Sequence, residues 1–216
     1  MELYLDSADI TEIKEYVESG ILDGITTNPS LIAASGEKFP TIIKNICQFI
    51  QKPVNVQVTG ANCREMVNQG REYSKLDSKI IIKVPAVGEG IKAIKTLSSE
   101  GIPTNATLVF SPAQALLAAK AGARYISCFV ARLEKIGINS YSTIEDMKMI
   151  FTNYGFKTKI LAAPVTSVKH LTEMAKAGAD VATMKPEVFR SLIYHPMTEL
   201  GLKQFLADWM KVKQEK

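Results

Sequence analysis

Eight short apolar runs alternate with amphipathic runs over almost the whole chain, and this alternation restricts the fold more than any other feature. The strand-like runs cover residues 2–5, 24–26, 54–58, 80–84, 104–109, 125–129, 159–163 and 180–184. Helical spacing of apolar residues fills the intervals at 10–18, 41–51, 64–75, 90–100, 112–121, 144–154, 168–177 and 186–193. Gly101, Gly122 and Gly178 follow helix-like runs, where a glycine can take the left-handed conformation that ends a helix. The stretches AKAGARY and AKAGADV repeat one helix-to-strand junction. Strand–helix pairs at this density predict an α/β chain folded as a (β/α)8 TIM barrel, with a doubly wound open sheet as the alternative.

No linker or low-complexity tract divides the 216 residues, so a single catalytic domain over 1–216 is expected. A further amphipathic segment, about 197–213, carries Leu200, Phe205, Leu206, Trp209 and Met210. It is surplus to the barrel and would either cap its own barrel or dock on a neighbouring subunit; a homo-oligomer is the favoured expectation.

Composition narrows the class. Hydrophobic residues are 46% and charged residues 22%, as in ordinary globular proteins. The net charge of +4 comes from scattered lysines rather than a basic block, so nucleic-acid binding is not implied. Cys47, Cys63 and Cys128 are odd in number and form no CxxC pair, which points away from zinc or a disulfide framework and toward a reducing, cytoplasmic compartment. Asp6 and Asp9 follow the first methionine at once and no apolar run reaches membrane-spanning length, so a complete, soluble chain without a membrane partner is expected. His170 and His195 lack carboxylate or cysteine neighbours at metal-ligand spacing, and surface or capping roles are expected for both.

In a (β/α)8 barrel the site forms at the C-terminal ends of the strands. Here those ends carry Asp6, Thr26 to Asn28, Gln57, Lys83, Asn105 with Thr107, and beyond the sixth strand Arg132. Branched apolar side chains would suffice for packing, so this convergence exceeds what a core needs. Lys83 is the sharpest anomaly, a lysine inside the run KIIIKVP. Either burial favours its neutral amine and makes it a nucleophile, or it snorkels to solvent or pairs with a carboxylate. The stretch Gly88-Glu-Gly90-Ile-Lys-Ala93 fits a loose dinucleotide fingerprint, but the next strand ends without the acidic residue that motif needs. A helix N-terminal turn explains it.

The motifs LYLDSADI (3–10), GITTNPSLI (24–32), IIKVP (81–85), GIPTNATLVFSPAQALLAAKAG (101–122) and FVARLE (129–134) together resemble the transaldolase family. Within it they are similar to the small subfamily that includes the fructose-6-phosphate aldolases. The resemblance implies a Schiff-base mechanism on a ketose phosphate, without metal or organic cofactor, in a pentamer or decamer. Lys83 would form the iminium and Asp6 would take the C4 hydroxyl proton. Asn28 would bind hydroxyls of the dihydroxyacetone unit, while Thr26 and Asn105 would orient lysine and substrate. Thr107 and Gln57 would hold a proton-shuttling water, and Arg132 would meet the distal phosphate.

Two departures bear on the substrate. Transaldolases usually carry glutamate on the third strand and phenylalanine on the sixth, whereas the aldolases carry glutamine and tyrosine; this chain combines Gln57 with Phe129. On the seventh strand the family's serine and basic residue are replaced by Pro164 and Thr166, with Thr166, Ser167 or Lys169 as possible substitutes. The expectation is transfer of a dihydroxyacetone unit from fructose 6-phosphate or sedoheptulose 7-phosphate to an aldose phosphate. Release of free dihydroxyacetone and a non-catalytic sugar-phosphate-binding barrel are the alternatives.

Overall fold

A computed structural model describes residues 1–214, with side chains through residue 212. The strands β1 (Glu2–Asp6), β2 (Gly24–Thr26), β3 (Val54–Gln57), β4 (Ile80–Pro85), β5 (Thr104–Val109), β6 (Tyr125–Cys128), β7 (Lys159–Val165) and β8 (Val181–Met184) pair in sequence order, all parallel. β8 closes on β1, so the sheet is a barrel and the open-sheet alternative is excluded. Around it lie α1 (Ile10–Glu18), α2 (Pro29–Ala34), α3 (Phe39–Phe49), α4 (Cys63–Ser74), α5 (Gly88–Ser99), α6 (Pro112–Ala121), α7 (Val130–Lys135), α8 (Ser140–Asn153), α9 (Val168–Lys176), α10 (Pro186–Ser191) and α11 (Pro196–Gln214).

Two cores hold this shell together. The larger lies between strands and helices: α3 contributes Ile42, Ile43 and Ile46, α5 contributes Ala93, Ile94 and Leu97, and the strands contribute outward residues such as Ile82 and Val84. The smaller fills the barrel itself with Tyr4, Ile81, Tyr125, Leu161, Ala163 and Val181. The Tyr4 and Tyr125 hydroxyls meet at 3.3 Å, and a Glu2–Lys159 ion pair lies beside Tyr4 at the end where the strands begin. Two glycines permit this packing. A Cβ on Gly24 would lie 2.5 Å from the Tyr4 ring, and one on Gly90 would lie 1.9 Å from the Pro85 carbonyl oxygen.

The fingerprint-like glycines thus form the first turn of α5, as expected, and Gly90 is needed for close approach to β4 rather than to a nucleotide. Gly101, Gly122 and Gly178 all have φ between +77 and +96, the left-handed values expected of them.

Three features differ from the sequence reading. α2 and α7 were not expected, because six residues are too short to display helical periodicity. α8 starts at Ser140 rather than 144, since Asn139 caps it and its first turn is polar. α11 does not cap its own barrel: Leu200, Phe205, Leu206, Trp209 and Met210 are all exposed in the single chain. Among the described residues no helix is long and apolar enough to cross a membrane.

Candidate active site

At the C-terminal ends of the strands lies a cleft of about 740 Å³ lined by Asp6, Thr26, Asn28, Gln57, Lys83, Phe129, Arg132, Thr166 and their neighbours. These residues come from distant parts of the chain, and the barrel brings them to one rim. Lys83 is 4% exposed and its Nζ donates one hydrogen bond, to the Thr27 carbonyl at 3.3 Å. Burial pushes the amine below its ordinary pKa, while the Asp6 carboxylate pulls the other way and is the weaker influence. Of the two readings of this lysine, the buried amine is the one found; it does not snorkel to solvent.

Asp6 is held by Thr26, whose hydroxyl donates to Asp6 Oδ1 at 2.7 Å and therefore accepts from Thr183 Oγ at 2.6 Å. Asn28 caps α2: its Oδ1 accepts the Leu31 N–H at 3.1 Å, so the amide hydrogens remain as its donors. Pro29 at the first helical position suits this entry, having no N–H to leave unpaired.

Asn105 and Thr107 are wholly buried. Asn105 pairs in register with Lys83, but its amide donates to Asn55 Oδ1 at 2.8 Å and accepts from Ser127 Oγ at 2.9 Å. Lys83 therefore donates its hydrogen bond to neither Thr26 nor Asn105 but to the Thr27 carbonyl. Thr107 Oγ1 is buried without a hydrogen-bond partner in the protein, a state that native structures seldom leave unexplained.

At the rim, the Arg132 guanidinium lies 5.0 Å from the Phe129 ring centroid, a cation–π contact that limits where the long side chain can go. Phe110 meets the Phe129 ring edge-on at 5.7 Å. Lys135 and Lys185 also line the cleft, so three cations face it from two strand ends. Of the residues considered as substitutes on β7, Thr166 lines the cleft. Ser167 instead caps α9, and Lys169 pairs with Glu173 on the surface. Pro164 sits where β7 shifts register between Ala162 and Val165, a bulge that tolerates a residue with no N–H. β5 has a matching bulge between Ala106 and Val109, and there Leu108, with φ of +60, lines the cleft in a strained left-handed conformation.

Sequence reasoning missed Asn55, Ser127, Thr183, Lys135 and Lys185. For the first three a signal existed: each lies two residues from another inward position on its strand. Of the surface or capping roles expected for His170, the surface one is excluded, since it is 4% exposed, while its Nδ1 accepts the Thr166 N–H just before the Ser167 cap of α9. His195 does cap, its Nδ1 accepting the Met197 N–H at the start of α11. Cys47 and Cys128 are buried free thiols, and no cluster among the described residues is placed to hold a metal ion.

The family model described as "Transaldolase/Fructose-6-phosphate aldolase" matches residues 3–216. The chain belongs to the transaldolase/fructose-6-phosphate aldolase family. A "Probable transaldolase" of Dictyoglomus turgidum is 49% identical across 98% of this chain and 99% of its own. Another from Aquifex aeolicus is 46% identical across 100% and 99%. The crystal structure of a 3-hexulose-6-phosphate synthase superposes with a TM-score of 0.62 over 85% of this chain and 89% of its own, at 15% identity, which speaks for the barrel alone. As a member of the transaldolase/fructose-6-phosphate aldolase family this chain is a transaldolase-like enzyme, and its polar strand ends are the natural place for the chemistry.

Proposed function

We propose that the chain is a Schiff-base transaldolase that moves a dihydroxyacetone unit from fructose 6-phosphate or sedoheptulose 7-phosphate to an aldose phosphate. The observation that carries this reading is the buried Lys83 amine in the same cleft as the Asp6 carboxylate. A neutral amine has the lone pair needed to attack the C2 carbonyl; loss of water then gives the iminium. Asp6 accepts the C4 hydroxyl proton as the C3–C4 bond breaks, and the bonding pair moves into the iminium to give an enamine. The short aldose phosphate leaves, an acceptor aldehyde takes its place, and the same steps in reverse form the new ketose.

The remaining groups follow from their positions. Asn28 offers two N–H donors to substrate hydroxyls, and Thr26 keeps the Asp6 carboxylate oriented. Gln57, on the cleft wall, suits a water that carries protons during iminium formation, and Thr107, which does not itself line the cleft, keeps an unpaired hydroxyl that could take part. Arg132, Lys135 and Lys185 suit a distal phosphate, with Thr166 as a hydroxyl donor in place of a charge. Transfer is favoured over release because Phe129 presents an apolar ring with no phenol to activate water. The exposed apolar side chains of α11 support assembly into a homo-oligomer through that helix. A cytoplasmic setting fits the buried free thiols.

Borohydride reduction in the presence of fructose 6-phosphate is expected to leave a covalent adduct on Lys83, located by mass mapping. Sugar binding with no adduct would overturn the enzyme mechanism in favour of a binding barrel. Products measured with and without erythrose 4-phosphate separate transfer from release. Dihydroxyacetone formed at comparable rates without acceptor would sink the transferase reading.

A further inference from the structure

His170 is buried and belongs to neither the catalytic cleft nor the hydrophobic cores, yet both its ring nitrogens face elements that line the cleft. Nδ1 lies 3.1 Å from the Thr166 hydroxyl and accepts the Thr166 backbone N–H at 3.4 Å. With Nδ1 as acceptor, the proton of the neutral ring sits on Nε2. Nε2 is 3.3 Å from Glu134 Oε1, close enough to attract but without the alignment of a hydrogen bond. Glu134 is further tied to the start of α8, accepting from Ser140 Oγ at 2.6 Å.

These contacts span a specific gap. Thr166 lies on the turn between β7 and α9, whereas Glu134 lies on α7 between Arg132 and Lys135. All three of Thr166, Arg132 and Lys135 line the cleft. The imidazole, rooted on α9, has an acceptor for one lip and a donor for the other, which few side chains of its size provide. An apolar residue would fill the same space without fixing the distance between the lips. We infer that His170 is a positioning residue for the distal, anionic end of the substrate, setting Thr166 against the Arg132-bearing helix. The inference rests on reading the cleft as a ketose-phosphate site.

Its test compares fructose 6-phosphate with unphosphorylated fructose, in turnover and in direct calorimetric binding of the phosphorylated sugar. His170→Leu removes both polar links, whereas His170→Asn keeps an acceptor near the Nδ1 position. The Leu variant is expected to raise KM for fructose 6-phosphate about tenfold with kcat held within about twofold, the pattern of lost uniform binding. Its kcat/KM for fructose should match wild type, and the Asn variant should recover part of the loss. Glu134→Ala, on an exposed side chain, probes the second link should the Leu variant fail to fold, and is expected to raise the same KM about threefold. If wild type turns over fructose 6-phosphate and no folded variant shifts its KM, the inference is wrong. Equal losses with both sugars would also overturn it, since they would mark a structural role. A wild-type chain that neither binds nor converts fructose 6-phosphate would defeat the ketose-phosphate reading and the inference together.

Discussion

Replacing Lys83 by methionine is expected to abolish turnover while stabilising the fold, with the gain largest at low pH. An ammonium has three N–H donors, but the structure gives Nζ a single hydrogen bond, to the Thr27 carbonyl. Burial lowers the pKa in the folded state, so the unfolded chain binds more protons than the native one between that lowered value and the ordinary value of about 10.4. Wild-type stability must therefore rise with pH across that window, by at most about 1.4 kcal/mol per pH unit for one proton. Methionine fills a similar volume and has no proton to release. Removing a lysine that must shed its proton to be buried gains about 1–4 kcal/mol near neutral pH, against about 1 kcal/mol for the lost hydrogen bond. The burial effect wins near neutral pH, giving a net gain of about 1–3 kcal/mol that shrinks as the pH rises toward about 10.4. Urea unfolding of both proteins at about pH 6, 7.5 and 9, at one protein concentration, measures the difference directly. Stability curves that run parallel in pH, or a wild type more stable than the variant throughout, would refute the claim that burial suppresses the charge on Lys83.

Other perturbations probe separate parts of the site. Gln57→Glu supplies a carboxylate to the cleft and is expected to speed transfer by about tenfold, less than the roughly hundredfold or more of a fully positioned acid–base group; no gain would count against a water held at Gln57. Asn28→Ala removes both a helix cap and a substrate donor, so it should lower stability by about 1 kcal/mol in denaturant and raise KM together; unchanged KM would remove Asn28 from binding. Gly90→Ala places a methyl group 1.9 Å from the Pro85 carbonyl and should destabilise by about 3 kcal/mol or more. A wild-type midpoint would mean that α5 can move off β4 freely.

The barrel was legible because its strands are apolar on both faces and its helices on one, which gives two distinct periods in the same chain. Lys83 was legible for the same reason, as a charge in a run that otherwise reads Ile-Ile-Ile-Val. Ser127 and Thr183 carried only a faint signal, one inward position two residues away, since four-residue strands offer a single step of that period. The neighbours of His170 were not legible either, since Glu134 is far off in sequence and comes beside it only once α7 packs against β7. Lys135 and Lys185 look like any surface lysine until the rim is assembled. The bulges of β5 and β7 escaped detection as well. Pro164 hinted at one of them, but Leu108 carries no mark of a left-handed backbone.

Strand β4 also shows how a reactive lysine and a stable barrel can share one register. Ile81 points into the barrel with Tyr4 and Tyr125, and Lys83 is the next inward position. Ile80, Ile82 and Val84 belong instead to the core beneath the helices, where Ile82 reaches toward Gly70 of α4. A slip of one residue would exchange the two faces and drive the amine among Ile94 and Leu97, far from Asp6 and from any carbonyl free to accept its hydrogen bond. Lys83 thus excludes the shifted pairing through the same burial that lowers its pKa. The inward position it occupies, beside Gln57 on one neighbour and Asn105 on the other, is the one at which the interior turns from apolar to polar. In the Lys83→Met variant that guard is lost along with the nucleophile, so its gain in stability should come with a weaker preference for this register during folding.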